Sequence, residues 1–279
     1  MMRLCIPTGI VAKLAPLLFT VSLLTSPAAQ AGKSCGESTL EPQELMQALE
    51  MAEQTRQALL KAGASNAIIA RVGQDLSQYS LRYSHLGMVY QSKPGQFSVL
   101  HELNECGSDQ SGLYREGLGN FFLDDVYAFE VLILIPPAAA QAKIQQLLLS
   151  EKALQAHHAS YNMLAYPFDL TYQNSNQWGL ELLSHALSST ELPNRKAVQH
   201  WLQQKNYQPG VIEVGPLSRI GASVFRANVS FTEHPLKQRL SGAYQVVTVE
   251  SVDSFLQQQW PDMQRQVLKL DNSQPDSNR

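Results

Sequence analysis

From Val126 to Ile135 the chain reads Val-Tyr-Ala-Phe-Glu-Val-Leu-Ile-Leu-Ile and then stops at Pro136-Pro137. Successive side chains of a strand point to opposite faces, so a strand wetted on one side alternates apolar with polar. This segment hardly alternates. It predicts a central strand covered on both faces, and so a sheet packed from both sides.

The neighbouring segments fit such a sheet. Pro42 opens a helix that Gly63 closes, with Leu45, Leu49, Ala52, Leu59 and Leu60 as its apolar face. Ala67 to Val72 reads as a short strand. Tyr83 to Tyr90 and Phe97 to Leu103 read as two strands joined through Lys93-Pro94-Gly95, a hairpin signal. Alternation places Tyr83, His85, Gly87 and Val89 on one face. It places Phe97, Val99, His101 and Leu103 on one face of the partner strand, so His85 and His101 share a side of the sheet. Ala138 to His157 predicts a helix with Ile144, Leu147, Leu148 and Leu154 inward. A second starts at Asn174 or Ser175 and runs to about Ser188. Beyond Leu192-Pro193-Asn194 the pattern predicts a helix over 196–207 and strands over 211–214, 222–231 and 244–249. A last helix, capped by Ser251, follows. The expected class is α+β: an antiparallel sheet with helices as a core over 32–192, a small β-rich α/β addition over 193–262, and a partly disordered tail over 263–279.

The first 31 residues read as a signal peptide. Arg3 and Lys13 precede or flank an apolar run, Leu14 to Leu24, and Ala29-Gln30-Ala31 has the small-x-small form of a cleavage site. A periplasmic or secreted protein is expected, with no membrane span in the mature chain. The whole chain has 21 basic and 24 acidic residues. Loss of Arg3 and Lys13 leaves the mature part net acidic, which argues against nucleic acid as a partner. Cys5 departs with the signal, and Cys35 and Cys106 remain. An even pair in an exported chain suggests a disulfide, worth on the order of 4 kcal/mol for a loop of this length.

The chemistry gathers around Asn174-Ser175-Asn176-Gln177-Trp178. The start of a helix exposes backbone N–H groups and the positive end of the dipole, which favour an anionic nucleophile or oxyanion. Ser175 is the candidate nucleophile there, His85 its base, and His101 the residue that orients the base. Tyr83, Glu102, Asn104, Asn174, Asn176 and Gln177 are candidates to line a cleft. The plainer reading makes Ser175 a helix cap and the histidines hydrogen-bonded residues of a half-buried face. No His-Glu-x-x-His, paired Cys-x-x-Cys or glycine-rich phosphate loop occurs, so neither a metal nor a cofactor is expected.

Tyr83-Ser84-His85-Leu86-Gly87 on one strand, His101 on the next, and Asn174-Ser175-Asn176-Gln177-Trp178 opening a later helix resemble circularly permuted NlpC-type and lecithin retinol acyltransferase-like proteins. The resemblance implies a permuted papain-like core. It places Ser175 on the family's cysteine, His85 on its base and His101 on its orienting residue. Over nearly all of the mature chain the sequence is similar to an exported bacterial family filed as domain of unknown function 2145. The carrying motifs are Tyr83-Ser84-His85, His101-Glu102-Leu103-Asn104, Leu113 to Leu118, Asn120 to Asp125, Tyr172 to Trp178 and Val246-Val247-Thr248.

A hydroxyl is far less acidic than a thiol, so replacing cysteine by serine is costly to catalysis. The sequence therefore favours a papain-like cleft that binds peptide, glycan or protein with little or no turnover. The alternative is a serine-dependent amide or ester hydrolase or acyltransferase. Cell-wall peptide, lipid or a periplasmic protein are the partner classes this implies.

Overall fold

The computed structural model describes residues 41–124 and 126–270. The expected signal segment and Cys35 lie outside them. The described part opens with helix α1, Pro42–Lys61, whose start is a capping box between Glu41 and Glu44 with Pro42 in the first turn. Gly63, at φ +63°, turns the chain back.

Four strands follow: β1 Asn66–Val72, β2 His85–Lys93, β3 Gln96–Asn104 and β4 Ser111–Gly117. Then come α2 Leu118–Leu123 and the long-run strand β5, Ala128–Ile135. Helices α3 Ala138–Leu148, α4 Lys152–Gln155, α5 Ser175–Leu187 and α6 Arg195–Gln204 succeed it. The remainder is β6 Gly210–Glu213, α7 Pro216–Phe225, α8 Leu236–Ser241, β7 Ala243–Val246, α9 Val249–Gln259 and β8 Gln264–Lys269. Six strands form one sheet in the order β4-β3-β2-β1-β5-β8, antiparallel at every pairing. Strands β6 and β7 pair apart from it. The protein is α+β.

Strand β5 has helices on both faces, as its composition demands. Val131 and Ile133 join Ile69, Val89 and Val99 under α1 and α2. Leu132 and Leu134 join Ile68, Leu86 and Met88 under α3, α5 and α9. Helix α5 lies unusually close to β2. A Cβ on Gly179 would come within 2.4 Å of Leu86 Cδ1 and 3.2 Å of Met88 Cε. That approach brings the first turn of α5 to the head of β2.

Several expectations give way. The buried stripe of α1 is Ala48, Met51, Ala52, Thr55 and Leu59, while Leu45, Leu49 and Leu60 are exposed. The helix expected over 138–157 breaks after Leu148, and Leu154 faces solvent. Residues expected as a strand over 222–231 begin inside α7, and the part after Leu192 is mostly helical rather than β-rich. All described residues belong to one compact unit, and Val249, Val252, Phe255 and Leu256 of α9 enter the same core as Leu86 and Trp178. The expected tail from 263 contributes β8, which pairs with β5 from Gln264↔Ile135 to Lys269↔Glu130. Among the described residues no helix is long and apolar enough to cross a membrane.

Candidate active site

Ser175 is the first residue of α5, and the helix is capped by its neighbour. The Asn174 side chain accepts a hydrogen bond from the Gln177 N–H at 2.8 Å. The Ser175 hydroxyl is therefore not needed as the cap. His85 Nδ1 lies 3.1 Å from Ser175 Oγ, across 90 residues of sequence. On the other side of the ring, His85 Nε2 lies 3.0 Å from His101 Nδ1. The site is nearly closed to solvent, with Ser175 6%, His85 8% and His101 0% exposed.

Local structure explains the meeting. His85 is the first residue of β2, and Asn176 ties the helix to that strand end. Asn176 Oδ1 accepts from the Leu86 N–H at 3.1 Å, and Nδ2 donates to the Ser84 carbonyl at 3.3 Å. One side chain thus grips the backbone on both sides of His85. Gly87, two residues on, makes room for Val99 and the Phe121 ring. A Cβ there would lie 2.6 Å from Val99 Cγ1, 3.0 Å from the Phe121 ring and 3.4 Å from His101 Cβ. Phe121 packs against both imidazoles, at ring separations of 6.0 and 5.4 Å.

Electrostatics hold the two rings neutral. Burial, then the Arg71 guanidinium, then His101 push His85 well below its ordinary value. Burial and Arg71 likewise lower His101 to about 4, with Asp124 opposing. Arg71 is itself buried, ion-paired to Asp124 at 2.7 Å and hydrogen-bonded to the Phe121 carbonyl. A neutral His85 is the form that accepts a proton. A thiolate–imidazolium pair would need this ring charged at rest, which the same surroundings oppose.

Tyr161 is buried within electrostatic reach of Ser175 and Glu102. Burial raises its phenol, the charge of Glu102 adds to that, and a hydrogen-bonding contact with Ser175 opposes it. Glu102, a cleft candidate by sequence, is 0% exposed. It alternates with His101 on β3 and faces the α5 side, in the cluster side of Leu100. Burial raises its carboxyl to about 8. Ser111 offsets part of this, but the Ser111 hydroxyl is engaged with His157 Nε2 at 3.0 Å, and neither Glu102 oxygen has a hydrogen-bond partner among the described residues.

The other candidates for the cleft are scaffold. Tyr83 precedes β2 rather than belonging to it, so alternation does not apply. It packs in the cluster on the α5 face, and its hydroxyl donates to Glu130 at 3.0 Å. Asn174 caps α5. Gln177 donates to the Pro167 carbonyl and to Glu181. Asn104 holds the β3–β4 turn through the Ser108 and Gln110 carbonyls. Arg71, Phe121, Tyr161 and Asp124 complete the surroundings of the histidines and serine. Of these, the one sequence clue was a lone arginine inside the apolar run of β1.

An antiparallel sheet bearing two hydrogen-bonded histidines on adjacent strands, one of them against a serine at a helix start, is an arrangement from which nucleophilic chemistry can be built. Residues 58–256 match the family described as an uncharacterized protein conserved in bacteria (DUF2145). The chain belongs to that family. No curated protein matches it, and no solved structure does.

Proposed function

We propose that the protein is a serine-dependent hydrolase or acyltransferase acting on an amide or ester, with Ser175 as nucleophile and His85 as general base. The carrying observation is the 3.1 Å contact between Ser175 Oγ and His85 Nδ1, with His101 3.0 Å behind the ring. The capping role that would have left Ser175 inert belongs to Asn174. Sequence alone leaned towards a binding cleft because a hydroxyl is hard to ionise. A neutral imidazole is free to accept the proton as the oxygen attacks, while the burial and Arg71 charge that keep it neutral also oppose the imidazolium it becomes.

In the reaction Ser175 Oγ bonds to the substrate carbonyl carbon while its proton passes to His85 Nδ1. The carbonyl oxygen gains the negative charge. The first helical N–H groups have no partner within the helix. Those of Gln177 and Trp178 already go to Asn174, so the N–H groups of Ser175 and Asn176 are the donors suited to that oxyanion. Collapse breaks the bond to the amine or alcohol, which leaves with the proton from His85. Water or a second alcohol or amine then takes the acyl group.

The order along the chain supports a permuted papain-like (NlpC-type) core: base on one strand, orienting residue on the next, nucleophile at a later helix start. Under that likeness the substrate classes are cell-wall peptides and lipids. The test is a fluorophosphonate probe on the wild type, with Ser175→Ala as control. Labelling of the wild type that Ser175→Ala loses entirely supports catalysis. A wild type that stays unlabelled between pH 6 and 9, a range chosen to keep the imidazole neutral, returns the site to a binding role.

Export belongs to the same proposal, with cleavage after Ala31 and a Cys35–Cys106 bridge. Intact mass of the protein recovered from the periplasm is expected to equal residues 32–279 less two hydrogens. A mass that retains residues 1–31, or both thiols, overturns the corresponding part.

A further inference from the structure

We propose that Glu116 is the fourth member of the site, a positioning carboxylate that fixes the proton arrangement along Ser175, His85 and His101. The inference rests on the reading of Ser175 as the nucleophile and extends it. Glu116 sits on β4 opposite Val99, and Tyr114 sits opposite His101, so Glu116 and His101 share a face as diagonal neighbours. Its Oε2 is 3.4 Å from His101 Nε2. The contact is long and off the line of a good hydrogen bond, which leaves Nε2 without a well-formed partner among the described residues. Contacts of this kind tighten when a site is loaded.

The assignment follows from which atoms donate and which accept. A carboxylate only accepts, so the His101 nitrogen facing it, Nε2, carries the hydrogen. In a neutral ring the other nitrogen is then bare, and His101 Nδ1 accepts. The atom 3.0 Å from it, His85 Nε2, must be the donor. That leaves His85 Nδ1 bare, facing Ser175 Oγ at 3.1 Å. Each link admits one direction only, and the chain ends with a base aimed at the nucleophile's proton. Reversing it would point the bare Nε2 lone pair of His101 at the carboxylate and give His85 Nδ1 a hydrogen, so that it could no longer accept from serine.

The groups around the rings cannot do this job. Arg71 and Asp124 are paired to each other, and Phe121 offers only its ring face and edge. Arg71 opposes protonation of both rings but does not choose between their two neutral forms. Glu116 makes that choice. It also supplies negative charge at the far end of the chain, partly offsetting the imidazolium that forms on His85 as serine attacks.

The test reads the tautomers directly. Nitrogen-15 spectra of the imidazoles in the wild type are expected to show Nε2–H on both His85 and His101. Glu116→Leu is expected to give mixed tautomers, while Glu116→Gln, which keeps an acceptor oxygen, holds the wild-type pattern. Fluorophosphonate labelling should slow by roughly ten- to a hundred-fold in Glu116→Leu, the usual cost of losing an orienting partner, and recover in Glu116→Gln. Nδ1–H on either ring of the wild type, or tautomers in Glu116→Leu identical to wild type, overturns the role of Glu116. If Ser175 takes no label in any variant, the catalytic reading fails, while the spectra still decide what Glu116 does.

Discussion

Replacing Glu181 by alanine is expected to remove about 3–5 kcal/mol of stability, the usual cost of stripping one partner from a buried ion pair. Glu181 is buried in α5 and accepts from four side chains. Arg195 donates through Nε at 2.7 Å and Nη2 at 3.2 Å. Gln173, Gln177 and Gln199 donate through Nε2 at 2.7, 3.1 and 3.2 Å. Without the carboxylate a guanidinium and three amides lose an acceptor where water does not readily replace it. The same substitution is expected to disturb the site, because Gln173 precedes the Asn174 cap and Ser175. Urea denaturation checks it: the midpoint should fall sharply with the slope unchanged. Glu181→Gln, which keeps an acceptor but no charge, should lie between. A loss under about 1 kcal/mol for the alanine variant would mean the cluster is solvated and contributes little.

That network shows where sequence reading stops. Nothing in the pattern of glutamines marks them as ligands of one carboxylate, since their spacing reflects three separate segments. Elements with a strong one-dimensional signal were legible: the uninterrupted apolar run of β5, the Lys93-Pro94-Gly95 hairpin, and α1 between Pro42 and Gly63. Strand β4, Ser-Gly-Leu-Tyr-Arg-Glu-Gly, carries little apolar alternation because it is an edge strand, and its register comes from β3. Strand β8, Gln-Arg-Gln-Val-Leu-Lys, is the opposite edge, largely exposed and held by the ladder to β5. Polar edge strands leave no period to detect.

The site divides along the same line. The order His85, His101, Ser175 was legible because those residue types sit at a strand start, on the next strand and at a helix start. Their contact distances depend on Asn176 gripping the Ser84 and Leu86 backbone and on Gly87 leaving space for a ring. Neither follows from residue type. Glu116 was hidden because its strand was hidden. Tyr83 was misassigned because alternation was extended two residues before the strand begins.

Acids seldom lie fully inside, and the burial of Glu102 leads to the second large effect. Glu102→Gln is expected to stabilise the protein by about 3 kcal/mol at pH 7. The folded carboxyl is raised by burial from 4.5 to about 8. A raised acid is bound to its proton in the folded state while the unfolded chain has released it. Stability is therefore fully present below pH 4.5 and is lost as pH climbs through 8, at about 1.4 kcal/mol for each pH unit between. The amide cannot titrate, so the difference between the two proteins should be near zero at pH 4, grow steadily, and level off above pH 8. His85 and His101 act in the opposite sense. Their lowered values give stability that is present above about 6.5 and lost in acid, but they are common to both proteins and cancel in the difference. Denaturation of the pair at intervals from pH 4 to 9 measures it. Parallel curves, or a Gln variant weaker at pH 7, would mean that the carboxylate is ionised and satisfied in the fold. Glu102 thus costs stability where it has no hydrogen-bond partner among the described residues and where its charge raises the Tyr161 phenol, and unfavourable burial of that kind gathers at sites under functional selection more often than elsewhere.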